Sequence, residues 1–443
     1  MRRQAIRQNG GPVVGERPNP VRERAAEAGP AVHGSSLIVT PVPPACKAIA
    51  GSLSSMLSGE ERLRHIAEQI EALPDKERIQ MRMHVEQLVR RMLSTSASDI
   101  DAGGPACRGY IWYRIDGEKH PDETMGRYSA DETNVLFLNI LSKYQTITLF
   151  DERSVDFSYQ LSVEGQARPR RFRATCYFDL DHLGLNMRAI GDDVRPMKSL
   201  GFHPLIEKGL LFKHVRDGLT LITGVTGSGK STTMDSVVNE NNQDVPGHII
   251  VIGRPIEYMH ESKQCIVRHR EVGKDVPSFK EGIVQALRQD PDMVVIGEMR
   301  DPETISAALE ITDSGHKVFS TLHTSSAVES IDRIIAEYPP AEQQRVRIRL
   351  ADVLRCIVSQ KLLPKLGGGR VLAKEVLWMT SSARAAIKNE NTGEIYQMMW
   401  EGWGQGQITL EQDLFRLVRQ GKITPETAMD YSNNKRRLQT IMK

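Results

Sequence analysis

A single nine-residue stretch restricts this chain more than any other. Leu219–Thr223 is an apolar, β-prone run, and it leads directly into Gly224-Val225-Thr226-Gly227-Ser228-Gly229-Lys230-Ser231-Thr232. The pattern is G-x-x-x-x-G-K-[ST], placed between a predicted strand and a predicted helix, where it has physical meaning. Glycines let successive backbone N–H groups turn inward and form an anion nest. A helix beginning near Lys230 adds the positive end of its dipole. Lys230 is expected to reach the β- and γ-phosphates of a nucleoside triphosphate, and the Ser231 hydroxyl to ligate Mg²⁺. The expected ligands are therefore ATP and Mg²⁺.

A strand–loop–helix of this kind belongs in a parallel sheet, and the surrounding sequence agrees. Leu219–Thr223, His248–Ile252, Met293–Ile296 and Val318–Leu322 read as buried strands with helical stretches between them. That alternation predicts an α/β domain whose parallel sheet is covered on both faces. Ligands in such sheets bind at the carboxyl edge. Two strands end there in chemically useful residues. Met293–Ile296 leads to Glu298, the candidate for orienting and deprotonating an attacking water. Val318–Leu322 leads to His323, the candidate phosphate sensor.

The 443 residues leave room for more than this domain. Residues 1–56 are rich in Pro, Gly, Ala and Arg without periodicity, which predicts a disordered tail. Residues 57–95 predict a helical extension, because Leu63, Ile66, Ile70 and then Met81, Val85, Leu88 and Met92 recur at helical steps around Pro74. The stripe suits packing on its own domain better than docking to a partner. Residues 96–196 carry mixed α+β signals: strands at Tyr110–Ile115 and Arg171–Phe178, and a helix at Asp131–Tyr144. Around Gly191–Gly201 a polar, Pro-containing stretch reads as a linker and hinge, with 197–204 as the linker between the domains. Residues 205–380 form the expected nucleotide-binding domain, and 381–443 a helical C-terminal part.

Composition excludes some roles. A formal net charge of +2 gives no argument for nucleic-acid binding. The five cysteines are far apart and contain no C-x-x-C pair, which argues against a zinc site and fits a reducing cytoplasm. No apolar run approaches the roughly 20 residues needed to span a bilayer, so any membrane association is expected to be peripheral.

Five stretches together resemble the secretion ATPase superfamily, and within it the PilT-like motors that retract type IV pili. They are Gly224–Thr233, Pro255-Ile256-Glu257-Tyr258, Arg270-Glu271-Val272-Gly273, Gly297-Glu298-Met299-Arg300-Asp301 and Gly315–Ser326. The resemblance implies a RecA-like P-loop NTPase domain, a smaller PAS-like α+β domain before it, and a homo-oligomeric ring, by inheritance a hexamer. It implies that Glu298 lies in a Walker B motif, that Glu257 helps to hold Mg²⁺, and that His316 and His323 form a histidine box. It also assigns Arg171, Arg173 and Arg188 to the γ-phosphate. The implied function is ATP-driven retraction of a pilus, working on an inner-membrane platform protein from the cytoplasmic face.

Two departures from the family pattern keep alternatives open. Gly253-Arg254 stand where two acidic residues usually precede Pro-Ile-Glu, so turnover is expected to be slower than in a typical relative. Around Ser382–Glu390 only Arg384, Ile387 and Lys388 match the retraction-motor segment. A low-turnover, nucleotide-gated accessory subunit is one alternative; a type II or type IV secretion or conjugation ATPase is another.

Overall fold

Residues 40–165, 169–191 and 194–443 are described by a computed structural model. Most of the expected N-terminal tail, 1–39, lies outside these residues. The remainder of it does not fit the expectation of disorder, because Pro44–Ser52 forms a helix, α1, with Cys46 and Ile49 buried. Proline at a first helical position sacrifices no hydrogen bond, so Pro44 starts this helix instead of preventing it. Cys46 and Ile49, three residues apart, fall on one face.

The helical hairpin forms as α2 (Gly59–Glu71) and α3 (Asp75–Ser94), separated at Pro74. Its apolar stripe packs inward. Leu63, Ile66, Met81 and Met92 share one core with Ile100, Phe137, Phe172 and Met187. These helices are therefore part of the small domain's own packing. Its sheet consists of β1 (Asp99–Gly103), β2 (Ile111–Ile115), β3 (Glu118–Asp122), β4 (Ser154–Leu161), β5 (Arg170–Asp179) and β6 (His182–Ala189). Their spatial order is β3-β2-β1-β6-β5-β4, and every pairing is antiparallel.

The single helix expected at Asp131–Tyr144 is two: α4 (Ala130–Ile140) and α5 (Lys143–Glu152). Ser142 interrupts it. Its side chain accepts from the Gln145 N–H while Gln145 reaches back to the Ser142 N–H, a capping box that starts a new helix.

The second sheet is built from β7 (Gly218–Thr223), β8 (Gly247–Gly253), β9 (Cys265–Glu271), β10 (Met293–Ile296), β11 (Lys317–Leu322), β12 (Leu354–Pro364) and β13 (Arg370–Trp378). Its order is β13-β12-β7-β11-β10-β8-β9. All pairs are parallel except β12 with β13. α6 (Pro204–Leu210) precedes them, and between them run α7 (Lys230–Asp244), α8 (Phe279–Ala286), α9 (Pro302–Asp313), α10 (Ala327–Ala336) and α11 (Pro340–Val353). They cover both faces. Leu221, Ile252, Val294 and Leu350 belong to one core, and Ile222, Val237, Ile249 and Val295 to the other. Met197 and Phe202, in the stretch read as a linker, are buried in that second core.

The C-terminal part contains α12 (Ser381–Lys388), α13 (Ile395–Glu401), α14 (Leu410–Arg419), α15 (Pro425–Tyr431) and α16 (Lys435–Met442). Leu410, Leu414 and Leu417 pack on Leu363 and Ala373 of the β12–β13 hairpin. Arg384 and Lys388 dock α12 onto Asp352 of α11, at 2.8 and 2.6 Å. Among the described residues, no helix is long and apolar enough to cross a membrane.

Candidate active site

The loop between β7 and α7 takes the conformation its glycines allow. Gly224, Gly227 and Gly229 have φ of 145°, 81° and 91°. At Gly224 a side chain is excluded by space as well, since a Cβ would collide with Ser228 Oγ and the Gln360 carbonyl. Lys230 is the first residue of α7 and is buried. Its ammonium donates to the Gly224 carbonyl at 2.7 Å and to that of Val225 at 3.2 Å. Burial lowers its pKa, an effect opposed by the nearby carboxylates of Glu257 and Glu298. Ser228 Oγ is buried without a partner among the described residues. Ser231 and Thr232 follow on the exposed side of the first helical turn. A buried cation, an orphaned hydroxyl and a helix N-terminus at one bend fit a bound polyphosphate. Ser231, with Glu257 and Glu298 near Lys230, suits Mg²⁺ and its waters.

Glu298 follows β10, two residues beyond Ile296. The Gly297 N–H donates to the Ile252 carbonyl at 2.8 Å, and Thr321 Oγ1 donates to the Gly297 carbonyl at 2.6 Å. The turn is thus pinned between β8 and β11. The Glu298 carboxylate lies 2.8 Å from the Arg300 guanidinium and 4.0 Å from His323 Nε2. Burial, then the positive charges of Lys230, Arg300 and Arg333, hold the His323 pKa below its ordinary value. Beside this group is a cavity of about 460 Å³, whose lining includes Thr226, Glu298, Arg300, His323 and Arg333.

Glu257 stands on the segment after β8. His260, on the same segment, contacts Asp235 of α7 at 3.1 Å and ties it to the helix of the phosphate loop. Arg173 of β5 reaches Glu257 at 3.8 Å, bringing one small-domain arginine to the site. The other two are engaged elsewhere. Arg171 donates to the Glu271 carboxylate at 3.2 Å and is buried there. Arg188 is bound to Asp99 at 2.7 Å within its own sheet.

His316 is also apart. It precedes β11 and contacts Ser314 Oγ at 2.9 Å, whereas His323 follows the same strand. At the rise of an extended chain the two histidines are about 20 Å apart. Grouping them as one box is thus not what this subunit's geometry gives. At the altered position, Arg254 points to Glu152 of α5 at 3.6 Å.

Two site residues carried no role in the sequence reading. Arg333 comes to the cavity from α10, and only the turn after His323 could have suggested it. Glu271, part of a quoted motif, is the acceptor for Arg171, for Ser158 Oγ at 2.8 Å and for the Ile256 N–H at 3.4 Å.

The chain is similar to proteins of one family. The model of the type II/IV secretion system protein family matches residues 187–368. The type IV pilus retractation ATPase PilT of Pseudomonas aeruginosa is 39% identical over 353 residues, 79% of this chain and 98% of that protein. The twitching motility protein of Neisseria gonorrhoeae is 35% identical over 307 residues, 69% of this chain and 80% of that protein. The crystal structure of the pilus retraction motor PilT with bound ADP matches with a TM-score of 0.70 and 36% identity, covering 80% of this chain and 99% of that one.

Proposed function

Since the chain belongs to the PilT-like family of type II/IV secretion system proteins, we propose that it is an ATP-hydrolysing motor that powers retraction of a type IV pilus. The observation that carries this reading is the meeting of Lys230, Glu298 and His323 at one sheet edge.

The loop amides of Gly224–Thr232 enclose the phosphates, and Lys230 exchanges its carbonyl partners for phosphate oxygens. Ser231 would hold Mg²⁺, with Glu257 near its waters; the ion supplies charge neutralisation on the phosphates. Glu298 orients a water and takes its proton. The water oxygen bonds to the γ-phosphorus, the bond to the bridging oxygen breaks, and ADP leaves with that electron pair. His323, whose pKa burial and nearby cations hold below its ordinary value, bonds the γ-phosphate. Arg173 reaches across from the small domain, so the two domains close when phosphate is present and reopen after its release. Met197 and Leu200 pack in the nucleotide-binding core, so that half of the expected hinge Gly191–Gly201 moves with the nucleotide-binding domain. Arg171, on the same strand as Arg173, acts through Glu271 and sets how that strand approaches.

The motor works as a homo-oligomeric ring, taken as six subunits. It is placed at the cytoplasmic face of the inner membrane, moving a pilus platform protein. Purified protein should release phosphate from Mg-ATP and form rings, and Lys230→Ala should abolish the release. Hydrolysis persisting in Lys230→Ala would reject the site. Deletion of the gene should leave cells with excess, non-retracting pili; bald cells would indicate assembly instead. The Arg254–Glu152 contact favours a second reading, a low-turnover accessory subunit, because it occupies the place of the missing acids. Nucleotide-dependent partner binding without hydrolysis would select it.

A further inference from the structure

We propose that the cavity beyond Glu298 is a holding site for the cleaved phosphate, an inorganic phosphate anion received by Arg300, Arg333 and His323. The proposal rests on the reading that this chain hydrolyses ATP.

The cavity of about 460 Å³ takes only Thr226 from the phosphate loop; Lys230 is not in its lining. It adjoins the phosphate loop at Thr226 and is lined by Glu298 and His323, so it opens from the γ-phosphate end of the site, where Arg300 and Arg333 add two cations. Its wall has two guanidinium groups against one carboxylate. Such a pocket attracts an anion and repels a second cation.

Arg333 is loosely held. It donates to the His323 carbonyl at 3.1 Å, its Nε is 3.9 Å from Glu337, and its side chain is 48% exposed. Guanidinium donors therefore remain for a ligand.

Arg300 is held by Glu298 itself at 2.8 Å, and this couples the site to the reaction. When water attacks the γ-phosphorus, its proton passes to Glu298 and the carboxylate becomes a neutral carboxyl. Arg300 loses its charged partner at the moment a free phosphate appears beside it. The new anion then takes the place of the neutralised one, in a bidentate geometry that suits a guanidinium. Phosphate waits in this pocket after ADP has lost its covalent link to it, which delays reopening of the domains.

The test is inhibition of Mg-ATP turnover by added inorganic phosphate and, separately, by added ADP, using the full-length chain. Arg333→Gln should weaken phosphate inhibition by roughly tenfold or more, the scale of a lost charge-assisted hydrogen bond, and leave ADP inhibition unchanged. Arg333→Lys should restore part of it. Unchanged phosphate inhibition, or equal loss for both products, would overturn the proposal. Arg300→Gln gives the same reading should Arg333→Gln fail to fold. Direct binding of radiolabelled phosphate in the presence of ADP separates the two claims. Absence of turnover defeats the hydrolysis reading alone, whereas ADP-bound wild-type protein that takes up no phosphate defeats the holding site.

Discussion

The Arg171 guanidinium lies 3.2 Å from the Glu271 carboxylate, bonding β5 of the small domain to the end of β9 in the nucleotide-binding domain. Both side chains are less than a tenth exposed, and Ser158 adds a second small-domain donor. Breaking a buried pair from one side strands the other charge, at about 3–5 kcal/mol. Arg171→Ala should lower stability by about that amount in chemical denaturation. A loss indistinguishable from that of an exposed arginine would show the pair to be unimportant.

Glu298→Gln preserves size and hydrogen bonding but cannot take a proton. Turnover should fall by roughly 10²–10⁴, with nucleotide affinity retained. Single-turnover phosphate release and fluorescent-nucleotide binding separate the two effects, and a normal rate would exclude Glu298 as the base.

Gly253→Glu with Arg254→Asp should raise turnover, on the order of tenfold, the scale of a modest charge effect on a barrier. Arg254 now spends its charge on Glu152. At Gly253 a Cβ comes within 2.9 Å of Ile256 Cδ1, a flexible tip that can yield, and 3.2 Å from the Pro255 carbonyl, which must give by a few tenths of an ångström. Steady-state kcat decides it, and an unchanged value rejects the idea that the missing acids slow this chain.

Burial, then His260 and Arg171, lowers the His269 pKa from 6.5 to about 4. The folded state thus refuses a proton that the unfolded chain accepts below pH 6.5. Stability should be unaffected above that pH and lost progressively between pH 6.5 and 4, by roughly 2–3 kcal/mol. His269→Gln can still accept from the His260 N–H and should flatten this part of a Tm-versus-pH profile. An identical slope in the variant would show that other groups cause the loss.

The phosphate loop and four strands were legible because strands buried on both faces read as uninterrupted apolar runs beside a spacing with mechanical meaning. β9 was not, since its second half is the polar run Arg268-His269-Arg270-Glu271. β12 and β13 pair as an antiparallel hairpin, which the repeated strand–helix rhythm does not suggest. α1 was hidden by the prolines that start it. Glu298 and His323 could be placed because each follows a strand that points to the same edge. The partner of Arg171 could not, because Glu271 is a hundred residues away and only the fold brings them together. His316 shows the opposite error, in which closeness to His323 along the chain conceals the length of the strand between them.

β12 is shared by two neighbours: β7, which feeds the phosphate loop, and β13, which α14 covers with Leu410, Leu414 and Leu417. Gln360 of β12 also donates to Thr233 of α7 at 2.7 Å. Translation delivers this covering layer after both strands of the hairpin. Until the ribosome has released residues beyond Leu417, the outer side of the hairpin is wet, and a prematurely stopped chain is left with an open flank one strand from its phosphate grip.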